Sequence, residues 1–136
     1  MTSLTIVRGL PGSGKSTLVK RIKRMADEWF EADMYFEKDG PYAFDPTKLG
    51  AAHGWCQAEV DNALYYKCDV IVSNTFTTIR ELRPYFEMAK TYDVVPNVIT
   101  CQSNYGSVHG VPDETLDKMK ARFVYDLSEL FESLKD

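Results

Sequence analysis

The sequence predicts an α/β fold in three layers: a small, mostly parallel sheet covered by helices on both faces. Three observations carry this. Short apolar runs alternate with longer stretches whose apolar residues recur at the helical period of about 3.6. Those stretches are long enough to act as right-handed crossovers between parallel strands. The first β-rich run also ends in a glycine-rich turn that leads directly into an amphipathic helix.

In order along the chain, residues 3–8 form the first expected strand, ending at Gly9. Residues 15–28 follow as a helix, with Leu18, Ile22, Met25 and Trp29 on one face. A short second strand is expected at 30–33, then a loop over 35–44 that contains Asp39-Gly40-Pro41. Asp45-Pro46 reads as a helix start, a capping carboxylate followed by proline in the first turn. That helix should reach residue 66 and bury Leu49, Ala52, Cys56, Val60 and Leu64. Residues 69–73 make a third strand, apolar enough to have both faces covered. A helix over 79–92 turns Leu82, Phe86 and Ala89 inward, with Pro84 starting or kinking it. Residues 94–101 form a fourth strand, which Pro96 pushes toward the sheet edge. After a loop at 103–112, Asp113 is expected to cap one final helix carrying Leu116, Met119, Phe123, Leu127, Leu130 and Leu134. No linker or repeat divides the chain, so residues 1–136 are expected to form one domain.

Composition narrows the function classes. Of 136 residues, 44% are hydrophobic and 26% charged, which suits a packed core and argues against wholesale disorder. Sixteen basic against 20 acidic residues leave a net charge of −4, so any nucleic-acid contact should be local rather than an extended wrap. Lys15, Lys20, Arg21, Lys23 and Arg24 gather on the first helix, most simply as a solvated face. Cys56, Cys68 and Cys101 are widely spaced and odd in number, as expected of buried free thiols in a reducing compartment. With no apolar run of membrane-spanning length and no signal-peptide pattern at the start, a cytoplasmic location is expected.

The strongest signal is Gly9-Leu-Pro11-Gly12-Ser13-Gly14-Lys15-Ser16-Thr17, which matches the Walker A pattern between a strand and a helix. Its glycines let successive backbone N–H groups converge on one anion, and the following helix adds its positive dipole end. Lys15 should reach the β- and γ-phosphates of a nucleotide, and the Ser16 hydroxyl should ligate magnesium.

Other positions are less specific. Asp33 is expected at the carboxyl edge of the sheet, where a carboxylate can take a proton from an attacking hydroxyl or simply cap a turn. Glu31 is its rival. Ser73, Asn74 and Thr75 end the third strand, where many phosphate-binding folds of this kind place a magnesium-binding Asp. Here that end is uncharged, so metal contact would pass through water or come from Asp69 or Asp33. His53 and His109 lack metal-ligand spacing. Asn104, Tyr105 and His109 are candidate polar contacts in the last loop. Trp55, Tyr35, Tyr42, Phe44 and Phe76 are core or loop-anchoring aromatics, of which one or two could stack on a base.

The Walker A segment is joined by Glu31-Ala-Asp-Met-Tyr-Phe, Tyr42-Ala-Phe-Asp-Pro, Ala52-His-Gly-Trp-Cys, Val70-Ile-Val-Ser-Asn-Thr-Phe-Thr and His109-Gly-Val-Pro. Together they resemble kinase-type P-loop ATPases, most of all the group containing the 5′-kinase domain of phage polynucleotide kinase. The resemblance implies a P-loop NTPase fold, ATP and Mg2+ as cofactors bound at Lys15 and Ser16, and Asp33 activating a 5′-hydroxyl. Asn74 and Thr75 would line the same cleft, and a DNA or RNA end would be the partner. Two departures stand out. Phe36 occupies about the position where the family carries an arginine for the acceptor phosphate. The lid before His-Gly-Val-Pro often supplies another, yet residues 96–117 contain no Lys or Arg. Arg80, Arg83 and Arg122 are the candidates to substitute. The sequence thus supports an ATP-dependent polynucleotide kinase, with a nucleoside or sugar kinase or a weakly catalytic nucleotide-binding accessory module as alternatives.

Overall fold

The computed structural model describes residues 2–104 and 110–135. Four strands, β1 (Leu4–Gly9), β2 (Glu28–Phe30), β3 (Val70–Asn74) and β4 (Asn97–Cys101), form one sheet in the order β2-β3-β1-β4. Every pairing is parallel, with Ile6 opposite Val72 and Val98 at the centre. Helices α1 (Lys15–Ile22), α2 (Leu49–Tyr65) and α3 (Ile79–Thr91) are the crossovers, followed by α4 (Asp113–Arg122) and α5 (Ser128–Glu132).

The two faces of the sheet are unequal. Leu4, Ile6, Val70 and Val72 pack on Ala52, Cys56, Val60 and Leu64 of α2, Leu82, Phe86 and Ala89 of α3, and Leu130 of α5. On the opposite face, Val7 and Ile71 meet Val19 of α1, flanked by Leu18, Trp29 and Cys101. The alternation along β1 sends odd and even residues to opposite layers, as strand geometry requires. The expected three-layer α/β fold is the one observed, and Pro96 does precede an edge strand.

Several element boundaries differ from expectation. Helix α1 stops at Ile22 because Lys23 turns extended and a tight turn closes on Asp27, whose carboxylate accepts from the Arg24 backbone N–H at 2.8 Å. Met25, expected inward, is fully exposed, and Trp29 lies on β2 rather than on the helix. Strand β2 therefore begins at Glu28, and Asp33 falls in a 3-10 turn, Ala32–Glu37. Asp45 accepts from Thr47 N at 2.9 Å and starts a 3-10 turn, Pro46–Lys48, before α2 begins, while Leu49 stays largely exposed. Helix α3 begins at Ile79 and runs through Pro84, started by a capping box between Thr78 and Glu81 rather than by the proline. Of the cysteines, all free, Cys56 is buried and Cys68 and Cys101 are half-buried.

The single C-terminal helix expected from the leucine spacing is two helices, the first capped by Pro112 with Asp113 inside it. Phe123 adopts an extended backbone between them, and its ring lies 4.1 Å from the Arg8 guanidinium carbon. Val124 N also donates to Thr77 O at 2.8 Å. Periodicity alone does not register such a tertiary anchor. Among the described residues no helix is long and apolar enough to cross a membrane.

Candidate nucleotide and phosphoryl-transfer site

The carboxyl ends of the strands gather the turn after β1, the 3-10 turn after β2, the strap at 75–78 after β3 and the residues after β4 on one edge. The turn after β1 cannot be built from other residue types. A Cβ on Gly9 would lie 2.3 Å from Ser13 Oγ and 2.7 Å from Cys101 O. Gly12 and Gly14 have φ of 81° and 96°, a left-handed backbone that glycine adopts without strain. Ser13 N donates to Leu10 O, and Gly9 N donates to Thr75 O, which ties this turn to the strap after β3.

Lys15 opens α1 and folds back over the turn, its Nζ donating to Gly9 O at 3.0 Å and Leu10 O at 3.1 Å. Burial pushes its ammonium below the ordinary lysine range, and the negative charge of Glu31 opposes that push. Ser16 and Thr17 are exposed at the same helix start. The Ser13 hydroxyl is buried and has no hydrogen-bond partner among the described residues.

Across the edge, Asp33 is half-buried and accepts a 2.6 Å hydrogen bond from the Tyr42 hydroxyl. The Tyr42 phenol is pushed up to about 12, by burial first and by the Asp33 bond second. Tyr42 is carried by a loop that Ala43 N fastens to Phe36 O at 2.9 Å, and Phe36, Tyr42 and Phe44 meet edge to face. Asn74 Oδ1 accepts from Ala32 N at 2.8 Å, which holds the backbone immediately before Asp33. Thr75 contributes its carbonyl to Gly9.

Glu31 is joined to β3 by a chain of hydrogen bonds. Trp29 Nε1 donates to Ser73 Oγ at 2.9 Å, and Ser73 Oγ donates to Glu31 Oε2 at 3.0 Å. Asp69 is at the other end of the molecule, accepting from Ser3 N and pairing with Arg24, so it does not serve this edge. His53 lies in α2, and Tyr105 and His109 lie outside the described residues.

Of the candidate arginines, Arg122 is tied to the strap on this edge, Arg83 is engaged on α5 and Arg80 is peripheral. Arg83 pairs with Glu129 at 3.2 Å, and Arg122 Nε donates to Thr77 Oγ1 at 3.0 Å. Arg80 is exposed in the first turn of α3. Arg8, which drew no attention in the sequence, is fully buried and donates from Nε and Nη2 to Phe76 O at 3.0 and 2.6 Å. With the Phe123 ring stacked on it, it fastens the strap and the start of the C-terminal segment to β1. A lone arginine inside a strand run carries no sequence signal of that role.

Among the described residues no three His, Cys, Asp or Glu side chains group to hold a metal by themselves. The donors present, a hydroxyl at the helix start and a few carboxylates, fit magnesium arriving with phosphates, since that ion keeps most of its waters.

The fold defines a P-loop kinase-like domain. The family model described as an AAA domain matches residues 4–125, and the chain belongs to that family. Among curated proteins, NEDD4-binding protein 2 of Homo sapiens is 35% identical over 92 residues, which cover 65% of this chain and only 5% of that protein. Among solved structures, the Pnkp1/Rnl/Hen1 complex is similar at a TM-score of 0.61 and 22% identity, over 93% of this chain and 40% of that one. The APS kinase CysC of Mycobacterium tuberculosis is similar at a TM-score of 0.60 and 12% identity, over 89% of this chain and 96% of that one.

Proposed function

We propose that this domain transfers the γ-phosphate of ATP to a hydroxyl acceptor, the 5′-hydroxyl of a DNA or RNA end. The observation that carries the reading is the pairing of a Walker A cradle with a carboxylate held in place across the same sheet edge. Gly9, Pro11, Gly12, Ser13, Gly14, Lys15, Ser16 and Thr17 would hold the phosphates. The lysine ammonium would swing from the Gly9 and Leu10 carbonyls to the β- and γ-phosphates, and the Ser16 hydroxyl would ligate Mg2+. The ion neutralises phosphate charge when bound with the nucleotide.

Asp33 would accept the acceptor's proton. Tyr42 occupies one carboxylate oxygen, and the other is left for an incoming hydroxyl. Asn74 supports the geometry from behind through the Ala32 amide, and Thr75 closes the cradle through Gly9. The likeness to a structure that includes Pnkp1 favours a polynucleotide acceptor, while APS kinase likeness keeps small-molecule acceptors in the comparison. A cytoplasmic location remains part of this proposal.

The test incubates the protein with Mg2+, γ-labelled ATP and 5′-hydroxyl DNA or RNA oligonucleotides, beside nucleosides and sugars. Label on the oligonucleotide, absent in Lys15→Ala and reduced at least about 100-fold in Asp33→Asn, is expected for a general base. Transfer that survives both changes contradicts the reading. One observation favours a second reading, a nucleotide-binding accessory module. Residues 96–117 contain no Lys or Arg, Arg83 is already paired with Glu129, and Arg122 is already hydrogen-bonded to Thr77 of the strap. That reading expects nucleotide-dependent stabilisation with no labelled product from any acceptor.

A further inference from the structure

The end of β3 is uncharged, where many phosphate-binding folds of this kind place an acid for the metal. Ser73 is fully buried there, and its hydroxyl is spoken for on both sides, accepting from Trp29 Nε1 and donating to Glu31 Oε2. Strand pairing explains the meeting. Trp29 is opposite Ile71 and Phe30 opposite Val72, so the next residue on the β2 side, Glu31, falls level with Ser73. Trp29 and Ile71 belong to the layer that packs on α1, the helix whose first residue is Lys15. Glu31 is also the acidic side chain whose charge acts most strongly on the half-buried Lys15 ammonium. It therefore faces the phosphate cradle, whereas Asp33 is turned toward Tyr42 on the loop.

We propose that Glu31, reaching across from the β2 end and oriented by Ser73, supplies the carboxylate for the magnesium of a bound nucleotide that β3 itself lacks. The acid would then come from the strand next to β3, in the layer that packs on α1. Glu31 and Asp33 then divide the two carboxylate tasks of the site, Glu31 toward the nucleotide's metal and Asp33 toward the acceptor. Mg2+ is commonly held by one or two carboxylates together with phosphate oxygens and waters, which matches one glutamate beside the Ser16 hydroxyl. Ser73 and Trp29 are positioning residues in this scheme, and such partners typically change metal affinity by about 10- to 100-fold when removed.

The inference rests on the reading that residues 9–17 hold a nucleotide, and the experiment separates the two. Binding of β,γ-imido-ATP is measured by calorimetry for wild type, Glu31→Gln and Glu31→Gln/Ser73→Asp, each with Mg2+ and with EDTA. Folding is checked by circular dichroism. The wild type is expected to bind more tightly with Mg2+. Glu31→Gln should lose about tenfold of that metal-dependent gain with its EDTA affinity unchanged or higher. The double variant, with the acid returned to β3, should regain it.

An unchanged metal-dependent gain in Glu31→Gln overturns the inference and leaves the nucleotide site standing. Equal losses with and without Mg2+ also overturn it, because Glu31 would then act only through Lys15 or through folding. If Glu31→Gln does not fold, the double variant alone decides, since it must bind Mg2+–nucleotide as the wild type does. No binding by the wild type in either condition removes the nucleotide reading and the inference with it.

Discussion

Tyr42 donates a 2.6 Å hydrogen bond to Asp33 from a loop nine residues away, and neither the composition of that loop nor its glycine and prolines signals the contact. A hydrogen bond to a charged group contributes about 1.5–3 kcal/mol. Tyr42→Phe is therefore expected to lower kcat about tenfold or more while leaving the KM for ATP unchanged, with any fall in melting temperature accompanying the loss of kcat. A drop in melting temperature with kcat intact would show that Tyr42 holds the loop rather than the carboxylate. Gly9 makes a contrasting case, since its role was legible from sequence and the structure supplies the reason. Gly9→Ala drives a methyl group against Ser13 Oγ and the Cys101 carbonyl, and should destabilise the protein by about 2 kcal/mol or more in urea unfolding. Little or no change would mean that the turn relaxes freely.

At the scale of elements, the sequence locates what is local and misplaces what is tertiary. The cores of α2 and α3 follow the apolar period, because a buried helix face is written directly into spacing. The ends of α1 and α4 do not, because a tight turn with a distant partner sets the first and a distant stacking partner sets the second. Arg24 ends α1 by reaching Asp27 and Asp69, and Phe123 ends α4 by stacking on Arg8. The same division runs through the site. The cradle is contiguous in sequence, whereas the links from Glu31 to Ser73 and from Ala32 to Asn74 each span 42 residues.

Two predictions belong to this scale. The Thr78 side chain accepts from Glu81 N at the start of α3, so Thr78→Ala should cost about 1 kcal/mol in denaturant unfolding with the m-value unchanged. In the turn after α1, hydrogen bonds from the Arg24 guanidinium and backbone N–H hold the Asp27 carboxyl below the usual carboxylate range. A carboxylate depressed in the folded state contributes stability above its unfolded pKa and loses it as pH falls through the folded value. Asp27→Asn should therefore lower the melting temperature at pH 7, with the gap to wild type closing as the solution is acidified. A gap independent of pH would assign the loss to packing.

Across the whole molecule, a parallel sheet with unequal layers brings all four strand ends to one edge, and the candidate site collects there. The fold class was legible because alternating strand and helix patterns admit few topologies. The acceptor was not, because the loop at 35–48 takes its shape from contacts among Phe36, Tyr42 and Phe44 rather than from a motif. With a net charge of −4, an oligonucleotide acceptor should be gripped near its end only. Its affinity should then fall with salt at a log–log slope of magnitude about 2 or less, and a much steeper slope would indicate an extended phosphate-binding track.

The central claim is that residues 9–17 hold the phosphates of a nucleotide through Lys15. Calorimetric titration of Mg2+–ATP into wild type and Lys15→Ala tests it most directly. One site per chain is expected in the wild type and at least a 100-fold loss, about 2.7 kcal/mol, in the variant. Equal affinity in the two proteins, or no binding by the wild type, would contradict it.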